Sequence, residues 1–155
     1  MSYFGIPEML LATQPRIVER ASAVLPATTQ TAYFTVSGKV LITHIIGEVT
    51  VVFDGTANDI KLIAHPTVGA DVDLCTALTV TSDTLGTIYT ITGTLADAMI
   101  ATPSGAVQSQ LAPIIVASGS IDLHTTGTDA TGSTKWVLHY IPLEDGATII
   151  PNLPS

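Results

Sequence analysis

Residues 40–53 of the chain read VLITHIIGEVTVVF, a long run rich in β-branched and aliphatic residues. Residues of this kind favour extended, half-buried strands. Side chains alternate between the two faces of a strand. The odd-numbered positions make one apolar face of Leu41, Ile45, Val49, Val51 and Phe53. The even-numbered positions include the polar residues His44, Glu48 and Thr50. The pattern predicts one long strand, or two strands that share a kink at Gly47.

Shorter stretches of the same kind lie on both sides of this segment. Residues 33–36 predict a strand closed by a turn at 37–39, and residues 60–64 predict a strand that ends at Pro66. The clearest alternation runs over 72–80, where Val72, Leu74, Thr76, Leu78 and Val80 alternate with Asp71, Asp73, Cys75, Ala77 and Thr79. We therefore expect a regular strand there.

The second half of the chain continues this pattern. Strands are predicted over residues 87–92, 114–116, 121–124 and 136–140, and residues 95–100 fit either a strand or one helical turn. The 114–116 strand is apolar on both faces, so we expect it at the centre of a sheet. In the 136–140 strand, Trp136, Leu138 and Tyr140 are expected on one face, with Lys135, Val137 and His139 on the other.

Roughly eight or nine short strands, separated by turns every 8–12 residues or so, are typical of sandwiches and small barrels. We predict an all-β chain, either an antiparallel, jelly-roll-like β-sandwich or a small barrel. A chain of 155 residues fits one domain. Its expected parts are an N-terminal arm and lead-in strand (1–30), a β core (31–143) and a C-terminal tail (144–155). A short helix is expected over 8–14, and Pro15 would end it.

The chain carries little charge for its size. Charged residues make up 12% of it, against about 25% in an average domain, and the mean hydropathy is +0.50. No apolar run approaches the roughly 20 residues of a membrane span, and no export signal is expected near the N-terminus. A surface of Thr, Ser, Ala and Gly loses its hydration easily, so the composition favours a protein that packs against other proteins.

The few basic residues argue against two classes of partner. The formal net charge is −8, and the basic residues Arg16, Arg20, Lys39, Lys61 and Lys135 are dispersed along the chain. Binding to nucleic acid requires several clustered phosphate contacts, and binding to an anionic membrane surface requires a basic patch. We therefore expect neither a nucleic acid nor a membrane as partner.

Candidate metal ligands are present without a complete metal motif. Asp122 and His124 share a strand face, and His44 and His139 can approach each other across strands. Zinc needs three or four convergent ligands and calcium needs six to eight oxygens. The sequence offers pairs of histidines, the pair Asp71 and Asp73, and the acidic turn Asp54–Asp59. Polar strand faces and Asx turns explain these residues equally well, so no metal or other cofactor is expected.

Catalytic patterns are equally incomplete. Glu48 can act in glycoside chemistry only beside a second carboxylate, which the sequence does not place. Cys75 is the single cysteine and alternates with apolar residues, which favours a buried, inert thiol over a nucleophile. The chain contains no nucleophile elbow, P-loop or dinucleotide fingerprint. An enzyme is therefore the least favoured class.

Several strand and turn sequences are informative as a set. They read VLP at 24–26, TAYFTVSGKVLIT at 31–43, GEVT at 47–50, AHPTVGADVDLC at 64–75, TIYTITG at 87–93, GSIDL at 119–123 and KWVLHYIPL at 135–143. Together they resemble small virion proteins of tailed bacteriophages, particularly the cement or decoration proteins that coat the capsid. The resemblance spans residues 24–143 and contains no catalytic signature.

This resemblance implies a non-enzymatic β-sandwich or jelly-roll protein, often a homotrimer, seated at symmetry axes of the capsid lattice. Such a protein clamps neighbouring subunits of the phage major capsid protein on the virion surface, after assembly in the host cytoplasm. Arg16 and Arg20 are then candidate capsid-contact residues of the arm, although exposed arginines are also often only solvated. Deleting residues 1–23 is expected to weaken attachment and to leave the fold intact.

Two other functions remain open at this point. A tail or head–tail connector component would form rings of six or twelve subunits. A carbohydrate- or ligand-binding β-sandwich would present exposed aromatic residues for stacking, and aromatic residues make up 5% of this chain.

Overall fold

The computed structural model describes residues 14–128 and 131–154. Within these ranges the chain forms twelve β-strands and no helix. The strands are β1 (Arg16–Val24), β2 (Gln30–Ser37), β3 (Val40–Val51), β4 (Asp59–Pro66), β5 (Val72–Asp73), β6 (Leu78–Thr79), β7 (Ile88–Thr90), β8 (Ile100–Thr102), β9 (Ile114–Val116), β10 (Gly119–Thr125), β11 (Ser133–Pro142) and β12 (Thr148–Pro151). The expected helix over 8–14 lies almost wholly outside the described residues.

The strands form two six-stranded antiparallel sheets that pack against each other. Sheet 1 has the order β1-β11-β3-β7-β8, with β9 also paired to β3. Sheet 2 has the order β12-β2-β10-β4-β5, with β6 also paired to β4. The pairing is nested, because β1 pairs with β11, β2 with β10, β3 with β9 and β4 with β5. This nesting gives the strand order of a jelly roll. The predicted β-sandwich is confirmed, and the sheets do not close into a barrel.

The hydrophobic core lies between the two sheets. Its largest fully buried side chains include Trp136, Tyr33, Tyr89, Phe34, Ile42, Ile45, Ile60, Leu62, Ile121 and Leu123. The inward face predicted for β11 is confirmed, since Trp136, Leu138 and Tyr140 are all buried. Burial of apolar surface on this scale is the main favourable contribution to folding, at about 25 cal/mol per Å².

The alternation of β3 changes phase within the strand. Before the change, Val40 and Ile42 face the core, and after it Ile45 and Val49 do. The pairing with β11 skips one residue just before His44, which marks a β-bulge. A bulge adds one residue to one strand and so moves every later side chain to the opposite face.

Two bulges correct the apolar face that was predicted for residues 40–53, because the pairing with β11 also skips Thr50, between Val49 and Val51. Ile45, Val49 and Phe53 are buried as expected. Leu41 is only half-buried and Val51 is exposed, so the prediction was wrong at both ends of the strand. A fixed period of two cannot anticipate a residue that has no partner in the neighbouring strand.

Gly47 was predicted as a possible kink, but β3 runs through it without interruption. Gly47 lies opposite Trp136 in the pairing of β3 with β11. A Cβ atom at position 47 would lie 2.8 Å from the Trp136 ring. The glycine is therefore required by the packing of the indole against the backbone.

The prediction of one regular strand over 72–80 is wrong. Only Val72–Asp73 and Leu78–Thr79 form strands, each paired with a different part of β4, and Thr76 between them forms an isolated bridge with Ala98. Leu74 and Cys75 are consecutive and both buried, while Val72 is exposed. The segment thus crosses the edge of the sandwich, and its apolar alternation does not correspond to two faces of one strand.

The prediction that residues 114–116 lie at the centre of a sheet is also wrong. β9 pairs only with β3, over three residues, and Ile115 is 63% exposed. β9 therefore lies at the margin of sheet 1 and not at its centre. Residues 95–100 include a turn, and β8 begins at Ile100.

The described part of the predicted arm and the predicted tail both belong to the sheets. β1 pairs with β11 over almost its whole length, and β12 pairs with β2. Removing residues 1–23 would delete nearly all of β1 and uncover β11. The structure therefore argues against the expectation that this deletion leaves the fold intact. Residues 1–13 lie outside the described part.

We predict that Gly47→Ala destabilises the protein by about 1–3 kcal/mol, because the added methyl group collides with the buried Trp136 ring. Gly55→Ala is the matched control, since a Cβ there meets nothing within 4 Å; its effect should stay within about 0.5 kcal/mol. Urea unfolding of both variants measures the difference. Equal stabilities of the two variants would show that the indole does not require a glycine.

Candidate functional site

The two histidines His44 and His139 meet on the outer face of sheet 1, as the sequence suggested. They are paired across β3 and β11, and their ring centroids are 5.4 Å apart with an interplanar angle of 70°. The His44 Nδ1 atom lies 3.2 Å from the Thr43 hydroxyl. Within residues 14–128 and 131–154, no group of three or more His, Cys, Asp or Glu side chains is placed to hold a metal ion.

Asp122 belongs to a polar network on sheet 2. Its carboxylate accepts hydrogen bonds from the Ser120 hydroxyl at 2.5 Å and from the Gln30 amide at 2.8 Å. The same Gln30 amide donates to Asp71 at 3.2 Å, and Asp71 lies 2.6 Å from His65 Nδ1. Sequence analysis singled out Asp122 and Asp71 but missed Gln30 and His65. Their positions follow only from strand register.

The network holds charges in place at the protein surface. The hydrogen bond and the charge of Asp71 raise the pKa of His65. Hydrogen bonds from Gln30 and then from His65 lower the pKa of Asp71. Asp73, the other residue of the suggested calcium pair, forms an ion pair with Lys61 at 2.7 Å. The two aspartates therefore have separate partners.

The remaining acidic candidates have structural roles. Asp54 accepts a hydrogen bond from the Thr56 backbone N–H at 2.7 Å, which is an Asx turn. Asp59 accepts a hydrogen bond from the Thr79 hydroxyl. Glu48 lies 3.4 Å from Lys135 on the outer face of sheet 1. These contacts account for the acidic residues that sequence analysis singled out for calcium or glycoside chemistry.

Cys75 is buried in the core. Its sulfur accepts a hydrogen bond from the Leu62 backbone N–H, and burial raises the pKa of the thiol. A raised pKa disfavours the thiolate, which is the reactive form of cysteine. The environment therefore matches an unreactive core thiol.

Arg16 and Arg20, the two arginines expected on the arm, differ in environment. Arg16 is exposed at the start of β1. Arg20 is only 5% exposed, and its guanidinium carbon lies 3.8 Å from the centroid of the Tyr33 ring. Arg20 therefore points into the end of the sandwich and is not part of an exposed arm.

The outer faces of the two sheets carry different sets of side chains. The outer face of sheet 1 carries apolar side chains on five of its strands, namely Ile17, Ile46, Ile88, Ile100 and Val137. Ile17 is the most exposed of these, at 68%. The outer face of sheet 2 carries the network of Gln30, Asp71 and Asp122. On sheet 1 these aliphatic side chains lie beside His44, His139 and the Glu48–Lys135 pair, whereas on sheet 2 the polar side chains are joined in one hydrogen-bonded network.

An apolar groove lies where β4 and β5 of sheet 2 approach β9 of sheet 1. Its volume is about 280 Å³. Its apolar lining includes Pro66, Val68, Val72, Leu95, Ile114 and Ile115. Val68 is 87% exposed at the tip of the β4–β5 connection, and Ile115 is 63% exposed on β9. Exposed apolar side chains that cluster around a groove mark a binding surface more often than isolated ones do.

The short strands beside the groove explain why sequence analysis missed it. β5 and β9 each pair with one neighbour only, over two and three residues. Ile115 was assigned to a central strand because apolar residues flank it. The sequence did contain one indication of the groove. Val68 is an aliphatic residue in a turn-like stretch, where no strand buries its side chain.

We predict that Asp71→Asn lowers the pKa of His65 toward its ordinary value of about 6.5. The ion pair should stabilise the fold at pH values above the lowered pKa of Asp71, and this contribution should be lost as the pH rises through the raised pKa of His65. NMR titration of the histidine rings measures the shift. Asp73→Asn is the control, because Asp73 pairs with Lys61. An unchanged His65 titration in Asp71→Asn would contradict the assigned pair.

Comparisons with known proteins give no match for this chain. No protein-family model matches it, and no curated protein and no solved structure is significantly similar to it. Among the described residues, no helix is long and apolar enough to cross a membrane.

Proposed function

We propose that this protein is a non-enzymatic structural protein of a phage virion, a cement or decoration protein that binds and stabilises the lattice of the major capsid protein. The apolar groove between β4–β5 and β9 is the observation that carries the proposal. It presents exposed aliphatic side chains on a weakly charged, acidic chain. The resemblance of residues 24–143 to phage decoration proteins supports the same function.

The groove suits an extended apolar segment of a capsid subunit. Each aliphatic side chain that becomes fully buried contributes about 1.5–3 kcal/mol. Val68 and Ile115 are 87% and 63% exposed, so most of their apolar surface is available for burial by a partner. β5 and β9 each have a single paired neighbour in their sheet. A partner strand can therefore add main-chain hydrogen bonds to the apolar contacts, which is β-augmentation.

A homotrimer would strengthen such binding. Three linked grooves engage a lattice with a higher apparent affinity than one groove, because the second and third contacts form at high effective concentration. The trimer would sit on the capsid surface of the virion, after assembly in the host cytoplasm. A nucleic acid is not part of this proposal, since the basic residues of the chain are few and dispersed.

The proposed assembly is tested by the mass of the purified protein in solution and by its binding to capsids. We expect light scattering to give about 48 kDa, three times the chain mass of 16.1 kDa. We also expect the protein to co-sediment with expanded capsids of the parent phage. A ring of six or twelve subunits would favour a head–tail connector. A monomer that does not bind capsids would favour a tail or ligand-binding role.

The proposed groove is tested by placing a charge in it. The double variant Val68→Asp and Ile115→Asp should weaken capsid binding by at least about tenfold, because each carboxylate must lose its hydration on docking. Leu85→Asp is the matched control, since Leu85 is 66% exposed near the other end of β3. Circular dichroism verifies the fold of both proteins. Unaltered capsid affinity in the double variant would exclude the groove as the docking surface.

A further inference from the structure

A second pocket lies at the end of the sandwich where β1 approaches β2. Its volume is about 390 Å³. Its polar lining is Arg20, Ser22, Thr31 and Tyr33, and its apolar lining includes Val24 and Pro154. We call it the Arg20 pocket. It is formed from different strands than the apolar groove and shares no lining residue with it.

Arg20 enters this pocket from the core side. It lies opposite Trp136 in the pairing of β1 with β11, and residues opposite each other in an antiparallel pair share one face. Arg20 therefore points inward with Trp136. The Nε and Nη1 atoms of its guanidinium are buried and have no hydrogen-bond partner. Arg20 is the only buried basic side chain among the described residues.

The contact with the Tyr33 ring compensates only part of the free-energy cost of burying the guanidinium. The face of an aromatic ring attracts a guanidinium, but it does not replace the hydrogen-bond acceptors that the N–H groups lack. Burial raises the pKa of Tyr33 to about 12. Tyr33 is therefore a neutral phenol at physiological pH and does not supply a counter-charge.

No carboxylate of the described residues forms an ion pair with Arg20; the ion pairs among these residues involve Lys61, His65 and Lys135. A buried charged donor without an acceptor costs free energy that an exposed arginine would avoid. An anion that binds in the pocket beside the guanidinium would supply the missing counter-charge. The pocket thus has the donor set of a binding site and lacks the acceptor.

We propose that the Arg20 pocket binds a carboxylate, with Arg20 as the charged donor and the Thr31 hydroxyl as a neutral polar neighbour. A single guanidinium balances one negative charge, which matches a carboxylate better than a phosphate dianion. The apolar residues Val24 and Pro154 fit the short aliphatic chain that carries the group. The carboxylate comes either from an acidic side chain of a protein partner or from a free organic acid. The proposal is independent of the function assigned to the apolar groove.

The chain suits a direct test by NMR, because it contains only two arginines, Arg16 and Arg20. The ¹⁵N spectrum of the arginine Nε–H groups therefore has two signals, and Arg16→Lys assigns them. We expect glutarate to shift the Arg20 signal with saturation, at constant ionic strength and pH. Chloride at the same ionic strength should not do so. A hexaglutamate peptide serves as the probe for an acidic side chain.

The two probes distinguish the two sources of the carboxylate. Saturation by glutarate supports a free organic acid as ligand, whereas saturation by the peptide alone supports an acidic segment of a partner. An Arg20 signal that neither probe shifts would overturn the proposal. The titrations use the unaltered protein, and the only variant they need, Arg16→Lys for the assignment, changes an exposed residue.

A variant gives the corresponding loss of binding. Arg20→Met keeps the aliphatic stem and removes the charge, so the affinity for the effective probe should fall by about 10–100-fold. Arg16→Met is the matched control on the same strand and should retain full affinity. Fluorescence of Trp136, the single tryptophan, follows both titrations, since its ring lies 6.5 Å from that of Tyr33. Equal affinity in Arg20→Met and the unaltered protein would also refute the site.

Discussion

The Trp136 indole packs against the backbone of Gly47 and connects the two halves of the structure. Its ring is stacked with Tyr89 at 6.2 Å and meets the edge of Tyr33 at 6.5 Å. Gly47, Trp136 and Tyr89 lie on three adjacent strands of sheet 1, whereas Tyr33 lies on β2 of sheet 2. The indole N–H donates to the Thr134 hydroxyl at 2.9 Å, so its one polar atom is satisfied within the core. A single side chain thus packs against two other strands of its own sheet and against β2 of the opposite sheet.

The same cluster explains the unusual position of Arg20. Because Arg20 lies opposite Trp136 on the inward face, its guanidinium has to lie inside the sandwich, where the Tyr33 ring covers it at 3.8 Å. The pocket beside it exists because β1 and β2 belong to different sheets and separate at this end. A charge that sequence analysis placed on a solvated arm is therefore held beside the aromatic core. The binding proposal for this pocket and the stability of the core depend on the same residues.

Two surfaces of opposite character follow from the jelly-roll order. The outer face of sheet 2 is occupied by the hydrogen-bonded network of Gln30, Asp71 and Asp122, which favours contact with water. The apolar groove lies at the margin, where β5 and β9 are too short to cover their aliphatic neighbours. Low overall charge makes this margin inexpensive to desolvate. The proposed cement function uses this difference, because a decoration protein needs one region that docks and another that remains hydrated.

The amino-acid sequence by itself determined the fold class and the inward face of β11, because alternation of apolar residues is a local property of a strand. It also determined the low charge, from which we predict that a nucleic acid is not a partner. Only the tertiary structure decided where the alternation breaks, since the bulge before His44 and the two short pairings within 72–80 arise from neighbouring strands. It likewise decided that Ile115 is exposed, that Arg20 is buried and that β1 and β12 belong to the sheets. Each of these depends on contacts between residues far apart in the chain, which a local pattern does not record.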